Sequence, residues 1–233
     1  IFPEYKANRS ETPEDILLSV PYVKRVLEAM CIPILEVAGY EADDVIGTLS
    51  QKGVEAGYDV YMVTPDKDYG QLVRDNCRIY KQRGAEGSIE IVDREAIREK
   101  YGIDDPQLVR DILALWGDAS DNIPGVPGVG EKTAMALVQQ YGDIDALYRR
   151  LPDINAKPNV IRKLTEGEES ARHSYWLATI VTDAPLAFDP AENLRRPFRP
   201  ELYDLFLRLE FQKLIDRYHL RPHQETAEKP EYT

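Results

Sequence analysis

Seven carboxylates packed into three short clusters constrain this chain more than any other feature: Glu41-Ala42-Asp43-Asp44, Asp66-Lys67-Asp68 and Asp118-Ala119-Ser120-Asp121. Like charges this close repel one another and resist burial, so the fold must set each cluster at a wet end of an element or against a cation. The third cluster runs into a glycine-rich turn, Gly125-Val126-Pro127-Gly128-Val129-Gly130-Glu131-Lys132-Thr133. Hard divalent cations prefer oxygen ligands. A glycine-rich turn opening a helix offers bare backbone N–H groups to a phosphate. Acids for a metal beside a phosphate cradle point to metal-assisted phosphodiester chemistry on nucleic acid.

Periodicity supplies the elements around the clusters. Ile16, Val20, Val23, Val26, Leu27 and Met30 fall on one face of a helix spanning 13–31. Residues 34–37 read as a short strand, and Gly39-Tyr40 turns the chain into a helix from about Glu41. Residues 59–64 read as a second strand, ending at Pro65-Asp66, where a short helix through Leu72-Val73 begins. Segments 78–80 and 88–92 read as paired strands around the turn at 84–87. From about Asp93 helical patterns follow one another: 94–101, 106–116, 131–140, 144–151, 159–165, 168–181 and two beyond Pro200. The expected fold class is α/β, with a mostly parallel central sheet and flanking helices over 1–105. A helical subdomain over 106–219 and a polar tail or linker over 220–233 follow.

Each cluster also has an ordinary reading. Acids in a first helical turn are favoured by the helix dipole, and Asp is a common N-cap. Asp66 suits a turn, and the segment from Asp118 to Asn122 suits a polar loop after Gly117. Three acids in four residues at Glu41, Asp43 and Asp44 nevertheless need compensation, which a cation provides. Glu41 and Asp66 each follow a strand at its carboxyl end, where ligand sites of α/β sheets gather, so both clusters are expected on one rim. Asp118 and Asp121 then bring a third set of oxygens. Two divalent ions roughly 3.5–4 Å apart, as in an in-line phosphoryl displacement, need that many ligands. The turn lacks GxxxxGK[ST] spacing and follows a helix, so it is no Walker A loop. A helix–hairpin–helix gripping a nucleic-acid backbone fits better, with Lys132 and Thr133 adding donors in a grip blind to sequence.

The formal net charge of −12 speaks against a generic DNA-coating protein. Setting the seven clustered acids aside leaves 34 of 41 acids against 29 Lys and Arg, still an excess of negative charge. Any nucleic-acid contact must rest on local cations, fixed N–H donors and bound metal. Cys31 and Cys77 form no CxxC pair, which fits two ordinary thiols in a reducing cytoplasm. No apolar run approaches the roughly 18 residues of a membrane span, and no membrane partner is expected.

In this order the motifs resemble the 5′-nuclease (flap endonuclease) superfamily, and within it the 5′→3′ exonuclease domains of bacterial DNA polymerases. The residues that carry the resemblance are Tyr5-Lys6-Ala7-Asn8-Arg9, the segment 39–49 around Glu41-Ala42-Asp43-Asp44, Thr64-Pro65-Asp66-Lys67-Asp68, and the long segment 117–134. Ser174-Tyr175-Trp176-Leu177-Ala178-Thr179-Ile180 and Leu209-Glu210-Phe211 resemble the same domain's last helices. The resemblance implies a PIN-like or resolvase-like nuclease core followed by a helix–three-turn–helix subdomain.

It further implies that Glu41, Asp43, Asp44, Asp66 and Asp68 ligate one metal and support a second, with Asp118 and Asp121 on the latter. The ions would be Mg²⁺, or Mn²⁺ in its place. Lys6 and Arg9 match a basic pair set against the scissile phosphate, where they offset developing charge. Tyr5, Lys6, Arg9, Gly125, Gly128, Gly130, Lys132 and Thr133 would contact DNA, and carbonyls of the 125–130 turn would hold K⁺. The implied partner is DNA bearing a 5′ flap, nick or primer, and the implied setting is a bacterial cytoplasmic protein at the nucleoid, followed by a polymerase region. Family members carry a first strand and two further metal-site Asp residues before the Tyr-Lys motif. The opening Ile1-Phe2-Pro3-Glu4 lacks a methionine and reads as interior sequence, so the core is expected to be incomplete here. Two other readings stay open: a non-catalytic DNA-backbone binder, and a toprim-type phosphotransfer enzyme using Glu41 with Asp66 and Asp68.

Overall fold

In the computed structural model, which describes residues 2–83, 87–189 and 191–222, the chain gathers into two units. The larger comprises Ile1–Ser10 and Val37–Leu186, the smaller Glu11–Glu36 and Ala187–Thr233.

The larger unit starts its layered part with helix α2 (Ala42–Glu55), preceded in the chain by α1 (Glu14–Ala29) of the smaller unit. Strand β1 (Val60–Val63) follows, then a 3-10 turn over Asp68–Leu72, and strands β2 (Cys77–Arg83) and β3 (Ser88–Val92). β1 runs parallel to β2, with Val60 opposite Cys77, and β2 pairs antiparallel with β3, with Ile79 opposite Val92. The period-2 alternation of a strand sends Met62 inward at 3 % exposure and leaves its neighbour Val63 at 75 %. Helix α3 (Arg94–Tyr101) starts where Asp93 accepts from Ala96 N at 3.0 Å and stops at Gly102, whose φ of 67° few other residues adopt.

Five further helices of this unit, α4 (Val109–Trp116), α5 (Glu131–Tyr141), α6 (Ile144–Arg149), α7 (Pro158–Glu166) and α8 (Glu168–Ala178), continue the same core. Small residues set its spacing. Ala114, Ala134 and Ala171 are fully buried, which lets α4, α5 and α8 approach closely around Leu115, Leu147 and Leu164. The core draws on residues from both sides of position 105: Met62 and Ile79 from the sheet share it with Ile112 and Val138 from the helices.

The smaller unit packs Ala29 of α1 against Leu202 and Phe206 of α9 (Glu201–Arg208) and Ile215 of α10 (Gln212–Arg217). No helix among the described residues is long and apolar enough to cross a membrane.

Two local expectations are corrected. Residues 34–37 form no strand: they carry no regular secondary structure and join no ladder, and Leu35 is 41 % exposed. A strand exists only through a pairing neighbour, and the sheet order is β1-β2-β3. The apolar face of α1 is not its buried face along its whole length. Ile16, Val20 and Val23 are exposed, and burial begins only toward Val26, Ala29 and Met30. The turn at 84–87 lies partly, and the tail from 223 wholly, outside the described residues.

Candidate functional site

Residues 2–9 lie as a strap across the loop that carries the third acidic cluster. Lys6 N donates to Asp121 O at 3.0 Å, Asn8 Nδ2 to Ala119 O at 2.7 Å, and Asn122 Nδ2 to Glu4 O at 2.6 Å. Lys6 and Asn122 both sit at a φ of 58°. Asn tolerates this left-handed conformation, whereas Lys pays a small steric cost for it, offset by the tight turn it allows. The result places Lys6 Nζ 2.5 Å from Glu41 Oε2 and 3.8 Å from Asp121 Oδ2, and Arg9 on Asp121 Oδ1. Tyr5 OH donates to Glu41 Oε2 at 3.3 Å. The first and third clusters therefore meet at Lys6.

The second cluster joins them through two residues that sequence reasoning left unassigned. Lys67 Nζ lies 2.5 Å from Asp118 Oδ2 and 4.0 Å from Asp68 Oδ1. Tyr69 OH donates to Asp43 Oδ1 at 2.8 Å. Lys67 had a signal, a lone cation between two acids. Tyr69 had none, since its partner is 26 residues away. Asn8, Asn122 and Ser120 were likewise missed; Ser120 donates to Asp118 Oδ1 through both N and Oγ, at 2.9 and 2.6 Å.

Some of the acids also carry the ordinary duties weighed above. Asp44 accepts from Glu41 N at 3.1 Å, bracing the start of α2, and from Val181 N at 2.9 Å, tying α2 to the chain beyond α8. Asp66 accepts from Asp68 N at 2.9 Å, an Asx turn that ends β1.

The electrostatics follow from this crowding. Burial, then the neighbouring charge of Asp66, pushes the Asp68 carboxyl up to about 7, against the opposing pull of Lys67. Its Oδ1 is buried without a hydrogen-bond partner among the described residues. Burial also works against ionised Asp118, but hydrogen bonds from Lys67 and Ser120 outweigh it and hold that carboxyl below its usual range. Burial likewise disfavours the Lys6 and Lys67 ammonium groups, and their bonds to Glu41 and Asp118 more than compensate.

In kind, the donors fit a hard divalent cation: carboxylate oxygens crowded enough to hold a proton among themselves, one of them buried and unpartnered. In position, no three acidic, imidazole or thiol groups among the described residues gather closely enough to hold one ion. Lys6, Arg9 and Lys67 carry the balancing charge.

The glycine turn leaves α4 and enters α5 within the same unit. Gly125 faces inward at a φ of 61°, where an added Cβ would fall 2.4 Å from Gly117 N. It donates to Ser174 Oγ at 2.9 Å and accepts from Ser170 Oγ at 2.6 Å. Its freedom thus shapes the turn. Gly128 and Gly130 are exposed, Lys132 is exposed and Thr133 half-buried. No side chain caps α5 at Gly130, which leaves the first backbone donors of that helix open to an anion. Several of the turn's carbonyls already accept hydrogen bonds: Gly128 O from Lys163 Nζ at 2.7 Å and Val126 O from Val129 N at 2.9 Å.

Two domain families match consecutive parts of the chain: 5′-3′ exonuclease, N-terminal resolvase-like domain, over residues 1–102, and 5′-3′ exonuclease, C-terminal SAM fold, over residues 104–201. DNA polymerase I of Chloroflexus aurantiacus is 42 % identical over 91 % of this chain and 22 % of its own length. DNA polymerase I of Bacillus subtilis is 37 % identical over 93 % of this chain and 24 % of its own. The chain therefore spans about a quarter of the relatives it matches. Among solved structures, T5 5′-exonuclease with bound zinc superposes at a TM-score of 0.62 with 22 % identity, over 93 % of this chain and 75 % of that one. The catalytic core of Rad2 in complex with DNA substrate superposes at 0.57 with 16 % identity, over 89 % and 68 %. At these identities the likeness is one of fold.

Proposed function

Because this chain belongs to the 5′-3′ exonuclease family, with both of that family's domains in sequence, we propose that it serves a DNA polymerase I as a metal-dependent 5′→3′ exonuclease and flap endonuclease. The observation that carries the reading is the strap. Lys6 and Arg9 are already braced against Glu41 and Asp121, so two cations sit among the acids of two clusters, a charge arrangement that suits a phosphodiester. T5 flap endonuclease has been solved with DNA and metal ions, and that precedent supports DNA as the substrate here.

Glu41, Asp43, Asp44, Asp66, Asp68, Asp118 and Asp121 are the residues that would hold divalent ions, Mg²⁺ foremost and Mn²⁺ in its place. Such ions supply Lewis acidity toward the phosphate and make water a competent nucleophile near neutral pH. Lys6 and Arg9 exchange their carboxylate partners for the phosphate oxygens and offset the charge that grows on them during displacement. Lys67 keeps Asp118 ionised, and Tyr69 fixes the orientation of Asp43. Gly128, Gly130 and Lys132 present N–H and ammonium donors to a duplex phosphate, Thr133 adds its hydroxyl, and Gly125 shapes their turn. K⁺ would share the turn's carbonyls. On this reading residues 1–105, joined by Asp118 and Asp121, hold the chemistry and the rest of 106–219 the grip, at the bacterial nucleoid.

A second reading has its own observation. Because no three ligating groups converge among the described residues, the chain in this form would grip DNA without cutting it. One experiment separates the two: cleavage of a 5′-flap duplex with Mg²⁺ and with EDTA, beside a binding titration, for the wild type and the Asp66→Ala, Asp68→Ala double variant. The nuclease reading expects cutting that EDTA stops, lost in the double variant while duplex affinity stays within about threefold. Metal-independent cutting, or turnover that survives both substitutions, would sink it. Binding without any cutting by the wild type would favour the second reading.

A further inference from the structure

Beside Glu41 and Asp44 opens a slot of about 300 Å³ that the chemistry just described leaves unused. Phe2, Tyr5, Trp176, Leu177 and Val181 line it together with the two carboxylates. Trp176 stands out on α8, because an indole 63 % exposed leaves a large apolar face in water. It is not loose. Phe2 meets His173 edge to face with centroids 4.7 Å apart, and His173 leans on Trp176 at 6.2 Å. On the other side Lys6 Nζ sits 4.7 Å from the centre of the Tyr5 ring. The slot is thus lined by aromatic and aliphatic groups as well as the two carboxylates, and adjoins Lys6, one of the cations assigned to the scissile phosphate.

We propose that this slot takes the base of one unpaired nucleotide of the 5′ strand, stacked on Trp176, and that this base contact selects flaps over fully paired ends. The inference rests on the nuclease reading, because it needs a strand whose phosphate lies at Lys6. Continuity with that site favours the occupant: Tyr5, Glu41 and Asp44 belong to both. The chemistry favours it too. Every base has a π-face for the indole, and the adjoining phosphates have Lys6 and Arg9. A duplex keeps its bases stacked inside, so only an unpaired base can enter.

The test uses a 5′-flap duplex with 2-aminopurine as its first unpaired base, titrated at low salt in EDTA and again with Ca²⁺, while cleavage is followed separately with Mg²⁺. Wild type should quench the probe on binding. Trp176→Ala should remove the quench and weaken affinity about tenfold, within the range seen when single base-stacking aromatics are truncated. Trp176→Phe should keep most of the affinity. With an abasic first unpaired position, wild type and Trp176→Ala should bind alike, a result that a merely structural role for the indole would not produce. Unchanged quench and affinity in Trp176→Ala, or an equal loss on the abasic flap, overturns the base slot while leaving the nuclease reading intact. A wild type that neither binds nor cuts flap duplex overturns both.

Discussion

Lys67 Nζ lies 2.5 Å from Asp118 Oδ2, a bond between residues 51 positions apart that fastens the end of the sheet layer to the loop after α4. The Asp118 side chain is only 6 % exposed, so this ammonium is the main compensation for a nearly buried charge. Together with the bonds from Lys6 to Glu41 and from Tyr69 to Asp43, it links the three acidic clusters.

Replacing that ammonium tests whether it stands where added cations act. Lys67→Met leaves Asp118 and Asp68 facing each other without their cation. Discounted for the part-exposed Lys67, the loss should be about 1–3 kcal/mol in EDTA. Millimolar Mg²⁺ should then raise the melting temperature of the variant more than that of the wild type. Equal gains in thermal denaturation would show that the carboxylates do not share a cation-binding surface.

A second buried acid, outside the three clusters, sets a pH dependence. Asp111 on α4 is 1 % exposed and accepts from Ile144 N at 2.9 Å. Burial pushes its carboxyl up to about 6, against that hydrogen bond and the nearby Arg110. A carboxyl with a raised folded-state value favours the protonated form. Its contribution is therefore complete below about 3.9, the unfolded value, and is lost as pH rises from there through about 6. The loss is about 3 kcal/mol at most. Asp111→Asn keeps the bond from Ile144 and cannot ionise. Its stability advantage over wild type in urea melts should grow between pH 4 and 6 and stay level above. A difference independent of pH would refute the assignment.

The glycines of the turn should separate into two kinds. Gly125→Ala forces a Cβ against the end of α4 at a positive φ, and overpacking with left-handed strain should cost about 2–5 kcal/mol. Gly130 has open space around its Cα and a φ of −93°. Gly130→Ala should cost under about 1 kcal/mol as a poorer N-cap. Any loss of duplex affinity beyond that belongs to the phosphate grip. Denaturant melts of the two variants check the contrast, and equal costs would contradict it.

Much of the architecture is visible along the chain because local rules are strong where it matters. Asp93 and Gly102 bracket α3, and the 3.6-residue spacing finds α5 and α8. The apolar runs before Pro65 and after Gly87 find β1 and β3. Local pattern misleads at 34–37 and on α1. A β-branched run becomes a strand only beside a partner, and an apolar helix face is buried only where something covers it.

Composition and order alone determined that three acidic groups, a basic Tyr-Lys-Ala-Asn-Arg strap and a glycine turn coexist in one α/β chain, because charge, hydrogen-bonding capacity and backbone freedom belong to residues themselves. Tertiary structure decided which of these touch. It put Lys6 between Glu41 and Asp121, gave Lys67 to Asp118 and Tyr69 to Asp43, turned Gly125 inward, and left Trp176 in water beside the acids. Such pairings join residues 26 to more than 100 positions apart. They arise only when packing of the shared core brings distant segments together, which no local pattern encodes.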